Sequence, residues 1–536
     1  MPAIVYQINK KTGVTYVYES TSFWDKEKQQ SRAKRRCIGR IDPETQEVIP
    51  TRKRGTPSEN KKKAQKGPVP ITRTARSFYG ATYLFDCMGE ETGVVQDLKA
   101  CFPENYRKIL SIAYYLILED RNPLSRFPRW AAIHRHPHGD AIPSQRSSEL
   151  FASISEEARQ RFFNLQAKRR MEKEYLAYDS TSISSYSQCL RQVRYGRNKD
   201  HEHLAQLNLS LLFGQQSRLP FYYRKLSGNI PDVKTLKKLL ADMDTLGYEK
   251  VKVVLDRGFF STTNINGLYK HHLKFLIAAK LPFKLVEKNL DPVRDKMRSF
   301  NHYSQEYQLY AYSLPITWDY VQDRPYKGDT IKEDRRMYLH LYYSPERALE
   351  DEKSFTNRLV SLKEELESGQ RHPDHEKQYV KYFDVKSTPS RGTKAIAKED
   401  ALSEAKRNYG YFALMSNEIK DALEALTIYR NKDLVEKAFE NLKDRLNLRR
   451  VAVSSEQSLD GKLFVQFIAL IFLSQITKKM QDNKLFNEHT LQEILDELDV
   501  IECFEVPGQR LQVGEITKRQ MDLYTKLGVT PPTSLQ

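Results

Sequence analysis

The spacing of apolar positions changes along the chain. Residues 1 to 60 alternate between apolar and polar, most plainly in TYVYES, and that period predicts strands. Between 75 and 170 the apolar spacing is three and four, in PENYRKILSIAYYLILED and SISEEARQRFFNLQAKRRMEKE, which predicts a helical domain. From Glu174 the stretches EYLAYDSTSISSYS, LAQLNLSLLFGQQ and LPFYYRKLSG read as three strands. DVKTLKKLLADMDTLGY follows as an amphipathic helix with Asp232 near its start, then KVKVVLD as a strand, TTNINGLYKHH as a helix and KFLIAAK as a strand. A charged segment then carries two strand-like stretches, SQEYQLYAYSLPITWDYV and RRMYLHLYYSPERA, and a helix opened by Ser344 and Pro345. GYFALMSN returns as a strand, ahead of the helical ALTIYRNKDLVEKAFENLKDRLNLRR. The run LFVQFIALIFLSQI contains Gln466 and is too short to span a bilayer, so it reads as a buried core helix.

Three strands followed by helix, strand, helix, strand is the element order of an RNase H-like sheet, in which the first three strands form an antiparallel meander. The expected fold is therefore α/β: an RNase H-like core with a mixed five-stranded sheet and flanking helices, interrupted by a β-rich insertion. The expected boundaries are a basic β-rich module at 1–60, a linker at 61–74 and a helical domain at 75–170. The core falls at 171–285 and 405–480, the insertion subdomain at 286–404, and a C-terminal helical region at 481–536.

Charge sharpens this outline. There are 87 Lys and Arg against 69 Asp and Glu, a net of +18. Residues 1 to 80 hold 18 of those cations and 7 of the acids, so most of the surplus sits at the N-terminal end. Such a surplus favours polyanionic partners. The five cysteines form no CxxC pair and read as reduced thiols in a cytoplasmic protein. No apolar signal core opens the sequence and no membrane is expected. No phosphate-binding glycine loop is present, so no nucleotide cofactor is expected either.

Candidate chemistry gathers at strand ends. Asp179 is expected to end the first strand of the sheet, and Asp256 follows the fourth, in VKVVLDRGFFS. Those two strands are adjacent in an RNase H-like order, so their carboxylates would converge. At about 100° per residue Tyr429, Lys432, Glu436 and Lys443 fall within one sector of about 60°, while Val435, Ala438, Leu442 and Leu446 form a separate aliphatic stripe. Taken alone, that charged edge is also what a solvated helix shows, and an Asp before Arg-Gly is also a turn residue or cap. Together, Asp179, Asp256 and Glu436 form a set of hard oxygen ligands suited to Mg²⁺ or Mn²⁺, and without cations they would repel one another. Gly258 is expected to provide a positive φ or close packing. HRHPHGD lies in a loop and HEH between strands, and neither is read as a metal site. NKKKAQK is similar to a nuclear-localisation patch and reads equally as a DNA-contacting linker or a solvated tail.

At these residues the chain resembles the DDE transposases of bacterial insertion sequences, specifically insertion-sequence family four, the cut-and-paste branch marked by a YREK signature. Tyr429, Lys432, Glu436 and Lys443 match the spacing Y-x2-R-x3-E-x6-K. The one departure is Lys432 in place of Arg, which keeps the charge and loses the bidentate fork. DRGF at Asp256–Phe259 and YDST at Tyr178–Thr181 are similar to the family's two aspartate motifs. The resemblance implies catalysis by Asp179, Asp256 and Glu436 with two Mg²⁺ or Mn²⁺ ions, and DNA contacts by Tyr429, Lys432, Lys443 and Arg257. It also implies Trp318, in the insertion, as an aromatic residue that stacks on a flipped base, although the core is an equal reading of that residue. The implied partners are double-stranded DNA, as terminal inverted repeats read by the N-terminal module and helical domain and as target DNA, and a second copy in a homodimer on DNA. The region 481–536 is the candidate interface, and the implied setting is the nucleoid of a bacterium or archaeon. Two other readings share the surfaces: a DNA-binding protein without catalysis, and a nuclease of the same fold without strand transfer.

Overall fold

The computed structural model describes residues 2–50, 75–170, 174–248, 251–324, 327–388, 392–451, 453 and 455–533. The linker 61–74, with its lysine run, lies outside the described residues. The chain divides into two compact units, Met1–Pro70 and Ile71–Gln536. In the first, the strands Ala3–Ile8, Thr15–Asp25, Gln30–Ile41 and Val48–Pro50 form an antiparallel sheet in sequence order.

The second unit is built on a ten-stranded sheet. Its strands are β1 (Tyr175–Ser185), β2 (Gln206–Gly214), β3 (Pro220–Ser227), β4 (Lys252–Leu255), β5 (Lys274–Ala279), β6 (Tyr303–Ser304), β7 (Leu309–Arg324), β8 (Asp329–Tyr343), β9 (Tyr411–Ser416) and β10 (Arg450–Val451). The order is β6-β7-β8-β9-β5-β4-β1-β2-β3, with β10 paired to β1. The run β3-β2-β1-β4-β5 has the expected order: an antiparallel meander, then β4 parallel to β1 and β5 parallel to β4. The expected size was too small, because β9 pairs with β5 and β8 pairs with β9, both antiparallel. The long hairpin of the insertion thus continues the core sheet. Its remaining part includes the helix Pro345–Glu367, capped by Ser344, whose side chain accepts from Arg347 N.

Alternation along the strands sorts side chains to two covered faces. Leu176, Tyr178 and Leu212 share one core with Leu236 and Leu239 of the helix α1 (Asp232–Leu246) and with Ile265 and Leu268 of α2 (Thr262–Lys270). Ala177, Ile183, Leu209 and Leu211 share the other with Val435, Leu442 and the long helix α5 (Glu456–Asp482). The helices α3 (Ala422–Arg430) and α4 (Asp433–Glu440) precede α5. α5 has 27 residues, so the apolar run belongs to a helix long and apolar enough to cross a membrane, longer than its sequence implied; 89% of its most apolar window is buried inside the protein. Phe464 meets Phe102 and Phe162, and Phe472 stands edge-on to Tyr114. At Gly461 an added Cβ would lie 2.1 Å from the carbonyl oxygen of Phe151, so only glycine lets the neighbouring helix approach so closely. The C-terminal segment folds back on its own chain: Glu502–Glu505 pairs with Ala75–Phe78, and the hydroxyl of buried Tyr524 donates to Gly80 O.

Candidate active site

Register brings the two aspartates together. β1 and β4 run parallel with Tyr178 beside Leu255, so Asp179 and Asp256, each one residue on, project from neighbouring strands to the same face. Asp256 follows the last residue of its strand, as expected. Asp179 does not end one: β1 continues to Ser185 through Ser180, Ser182 and Ser184, which are buried and at most 2% exposed.

The Tyr429 hydroxyl donates to Asp256 Oδ1 at 2.6 Å. Burial pushes the Asp256 carboxyl up, but that bond, the Arg257 amide and the charges of Lys432 and Arg257 outweigh it and hold the carboxyl below its usual range. Asp179 goes the other way: burial raises it, and Lys199, the Ser180 amide and Lys432 only partly oppose this. Tyr429 is raised by burial and then by Asp256, and stays protonated as a donor. Lys432 links the cluster. Its Nζ donates to Glu436 Oε1 at 2.5 Å, and its charge is felt by Asp256 and Asp179. Burial lowers Lys432, but these carboxylates more than restore it, so the ammonium form is favoured.

The four signature residues do not share one continuous helix. Tyr429 lies in α3, a turn at Asn431–Lys432 separates it from α4, which carries Glu436, and Lys443 falls in the π-helical turn Asn441–Arg445. The aliphatic stripe is nonetheless buried, with Val435, Ala438, Leu442 and Leu446 at most 3% exposed. Tyr429, Lys432 and Glu436 remain together, while Lys443 is engaged elsewhere: its Nζ donates to both carboxylate oxygens of Asp200 at 2.7 Å. If that pair competes with a DNA phosphate for Lys443, Asp200→Asn is expected to tighten duplex binding. The gain should be about 1.4- to fivefold, the range of a surface pair worth about 0.2–1 kcal/mol. Titration at fixed salt measures it, and equal or weaker binding would contradict the competition.

Sequence reasoning missed the loop before β2. Lys199 Nζ lies 3.5 Å from Asp179 Oδ1 and 3.2 Å from Asp232 Oδ2, and the Ser180 hydroxyl donates to Asp232 Oδ1 at 2.5 Å. Glu202, in the HEH stretch expected at the surface, is paired with Arg450 at 2.6 Å. Asp232 was legible as a helix-start residue, but no periodicity marks Lys199. Among the described residues no three His, Cys, Asp or Glu side chains stand close enough to hold a metal. Positive charge among the carboxylates comes from Lys432 and Lys199. The donor set itself, three carboxylates on adjoining elements, is chemically suited to a hard divalent cation.

Arg257 is exposed, beside a groove of about 730 Å³ that Lys280, Phe260 and Phe283 also line. Gly258 has no positive φ, and an added Cβ would meet Asp232 at an ordinary 3.5 Å, so neither expectation for it holds. Trp318, read equally as a base-stacking residue and as part of the core, has a ring 3% exposed that stacks on Phe283, and its Nε1 donates to Asn266 Oδ1 at 2.8 Å.

Two histidines of HRHPHGD, His134 and His136, are structural. His134 bridges Trp130 O and Asp499, and His136 Nδ1 meets Ser111 Oγ at 2.9 Å. Burial, aided by His138 and His134, pushes His136 down to about 4, and burial does the same to His340. Between the usual value of 6.5 and about 4 the unfolded chain takes up protons that these folded sites refuse, so stability falls as pH falls through that window. The urea midpoint of His136→Asn is expected to fall less than that of the parent between those two pH values. An equal fall in both would contradict this.

Residues 170–472, more than half of the chain, match the protein family described as the transposase DDE domain. No curated protein matches the chain. Among solved structures, the piggyBac transposase synaptic complex with hairpin DNA, determined by cryo-EM, is similar at 10% identity with a TM-score of 0.35, over 74% of this chain and 70% of that one.

Proposed function

Because the chain belongs to the transposase DDE domain family, we propose that it is the transposase of an insertion sequence, of the family-four kind, that cuts the element's terminal inverted repeats and joins them to target DNA. The observation that carries this reading is the parallel register that sets Asp179 and Asp256 side by side on the face where Tyr429 and Lys432 reach them. Asp179, Asp256 and Glu436 are the proposed catalytic carboxylates and metal ligands. Two Mg²⁺ or Mn²⁺ ions held there would supply the charge that activates a water or 3′-hydroxyl and stabilises the leaving oxygen.

The chain's own groups do the rest. Tyr429 fixes the orientation of Asp256 through its hydroxyl. Lys432 balances the carboxylates and, with Lys443, would hold backbone phosphates as a point charge rather than a fork. Arg257, exposed beside Asp256, would meet DNA. Coordinated cutting of two ends calls for two copies of the chain on DNA, and a sizing experiment on paired-end DNA that found only monomers would contradict that.

Joining separates this reading from a nuclease of the same fold. A pre-cut duplex end with a free 3′-hydroxyl, incubated with the protein, a plasmid target and Mg²⁺, is expected to yield end-to-target joined product. Hydrolysed ends without any joined product would favour the nuclease.

A further inference from the structure

In the N-terminal unit the two middle strands run further than the outer ones. Ala3–Ile8 pairs with Thr15–Ser20, and Val48–Pro50 pairs only with Gly39–Ile41. Beyond these, Thr21–Asp25 and Gln30–Lys34 form a two-stranded ribbon in which every residue except Asp25 is exposed. Its base is fixed. Tyr18 stands opposite Cys37 but Val17 stands opposite Gly39, so Ile38 is a bulged residue, a device that bends a strand and increases its twist. Gly39 admits the outer strand, since a Cβ there would lie 2.6 Å from Ile49 O.

The ribbon is basic on both strands and at its turn. Residues 20–36 hold Lys26, Lys28, Arg32, Lys34, Arg35 and Arg36 against Asp25 and Glu27. Arg32, Lys34 and Arg36 stand opposite Phe23, Thr21 and Glu19, so they line one face about 6.8 Å apart. Arg32 is paired with Asp25 at 3.2 Å, whereas Lys34, Arg35 and Arg36 have no ion pair among the described residues. Phe23 and Trp24, near the turn, are 49% and 58% exposed.

A two-stranded hairpin with both faces in water is marginal by itself, and this one adds unbalanced cations and two exposed aromatic rings. A second copy of the ribbon would bring like charge against like charge. The major groove of B-DNA, about 12 Å wide, admits a two-stranded β-ribbon, and its phosphate walls complement the cations. Resting on the reading that this chain acts on DNA, we infer that the hairpin Thr21–Arg36 is a DNA-reading ribbon that enters the major groove. Arg32, Lys34 and Arg36, on the face that also carries Phe23, contact the phosphates, and Trp24, on the opposite face, approaches the base edges.

The test uses the full chain, a labelled duplex carrying the element's own end and an unrelated duplex of equal length, with affinities measured over a series of NaCl concentrations. The variant R32A/K34A/R36A is expected to bind both duplexes more weakly. Its plot of log affinity against log salt should be shallower by about 2.7, from about 0.9 for each of three phosphate contacts. W24A should keep the slope and lose affinity for the element's end more than for the unrelated duplex. The single variant K34E, at an exposed position, should weaken binding without disturbing the sheet, as checked by circular dichroism. Parental affinity and slope in R32A/K34A/R36A and in K34E would overturn the inference, as would a change in self-association with no change in slope. A parent that binds through the ribbon yet never cuts or joins DNA would overturn the strand-transfer reading and leave the ribbon standing.

Discussion

Asp256→Asn is expected to abolish cutting while leaving duplex binding in place. The substitution keeps the shape of the side chain and its capacity to accept from the Tyr429 hydroxyl, now 2.6 Å from Oδ1, so the fold around β4 should survive. What it removes is one of two adjoining negative charges set side by side by the β1–β4 register. A divalent ion contributes several kcal/mol to the charge that develops in phosphoryl transfer. Each step of about 1.36 kcal/mol is tenfold in rate, so nicking should fall on the order of 10³-fold. Gel-shift and nicking assays on one labelled duplex measure both quantities. Nicking within about tenfold of the parent would remove Asp256 from the catalytic set.

Trp318→Ala is expected to act on stability rather than on DNA. The ring fills a position between Phe283 and the sheet, and its N–H is satisfied by Asn266. Truncation leaves a cavity of ring size and an unpaired amide oxygen, a loss of about 3–5 kcal/mol by analogy with other buried aromatic residues. Urea unfolding should show a lower midpoint, and Trp318→Phe should recover part of it. If the midpoint is unchanged while a DNA step is lost, the ring acts on DNA after all.

That burial was legible. Along β7, Ile316, Trp318 and Tyr320 are buried while Thr317, Asp319 and Val321 are exposed, and the alternation is written in PITWDYV. The convergence of Asp179 and Asp256 was legible too, because strand order and a period of two are enough to place both on one face. The end of β1 was not. Its second half is polar in sequence but buried in fact, since its hydroxyls find partners across the sheet, such as Val451 O for Ser185. A hydrophobic pattern cannot show a strand held by side-chain hydrogen bonds. Nor could a helical wheel show the turn at Asn431–Lys432, the π-helical turn that holds Lys443, or the bond from Lys443 to Asp200. Lys199 reaches Asp179 from an irregular loop, and only the folded chain brings them together.

The most direct measurement is strand cleavage by the unaltered protein on a duplex carrying the element's own end, labelled on each strand in turn, with Mg²⁺ or Mn²⁺ present and then withheld. The account predicts metal-dependent nicking at the element's boundary that leaves a 3′-hydroxyl, followed by a joined or hairpin product. Binding to the end with no cutting under either metal would contradict it and leave a DNA-binding protein on a transposase fold.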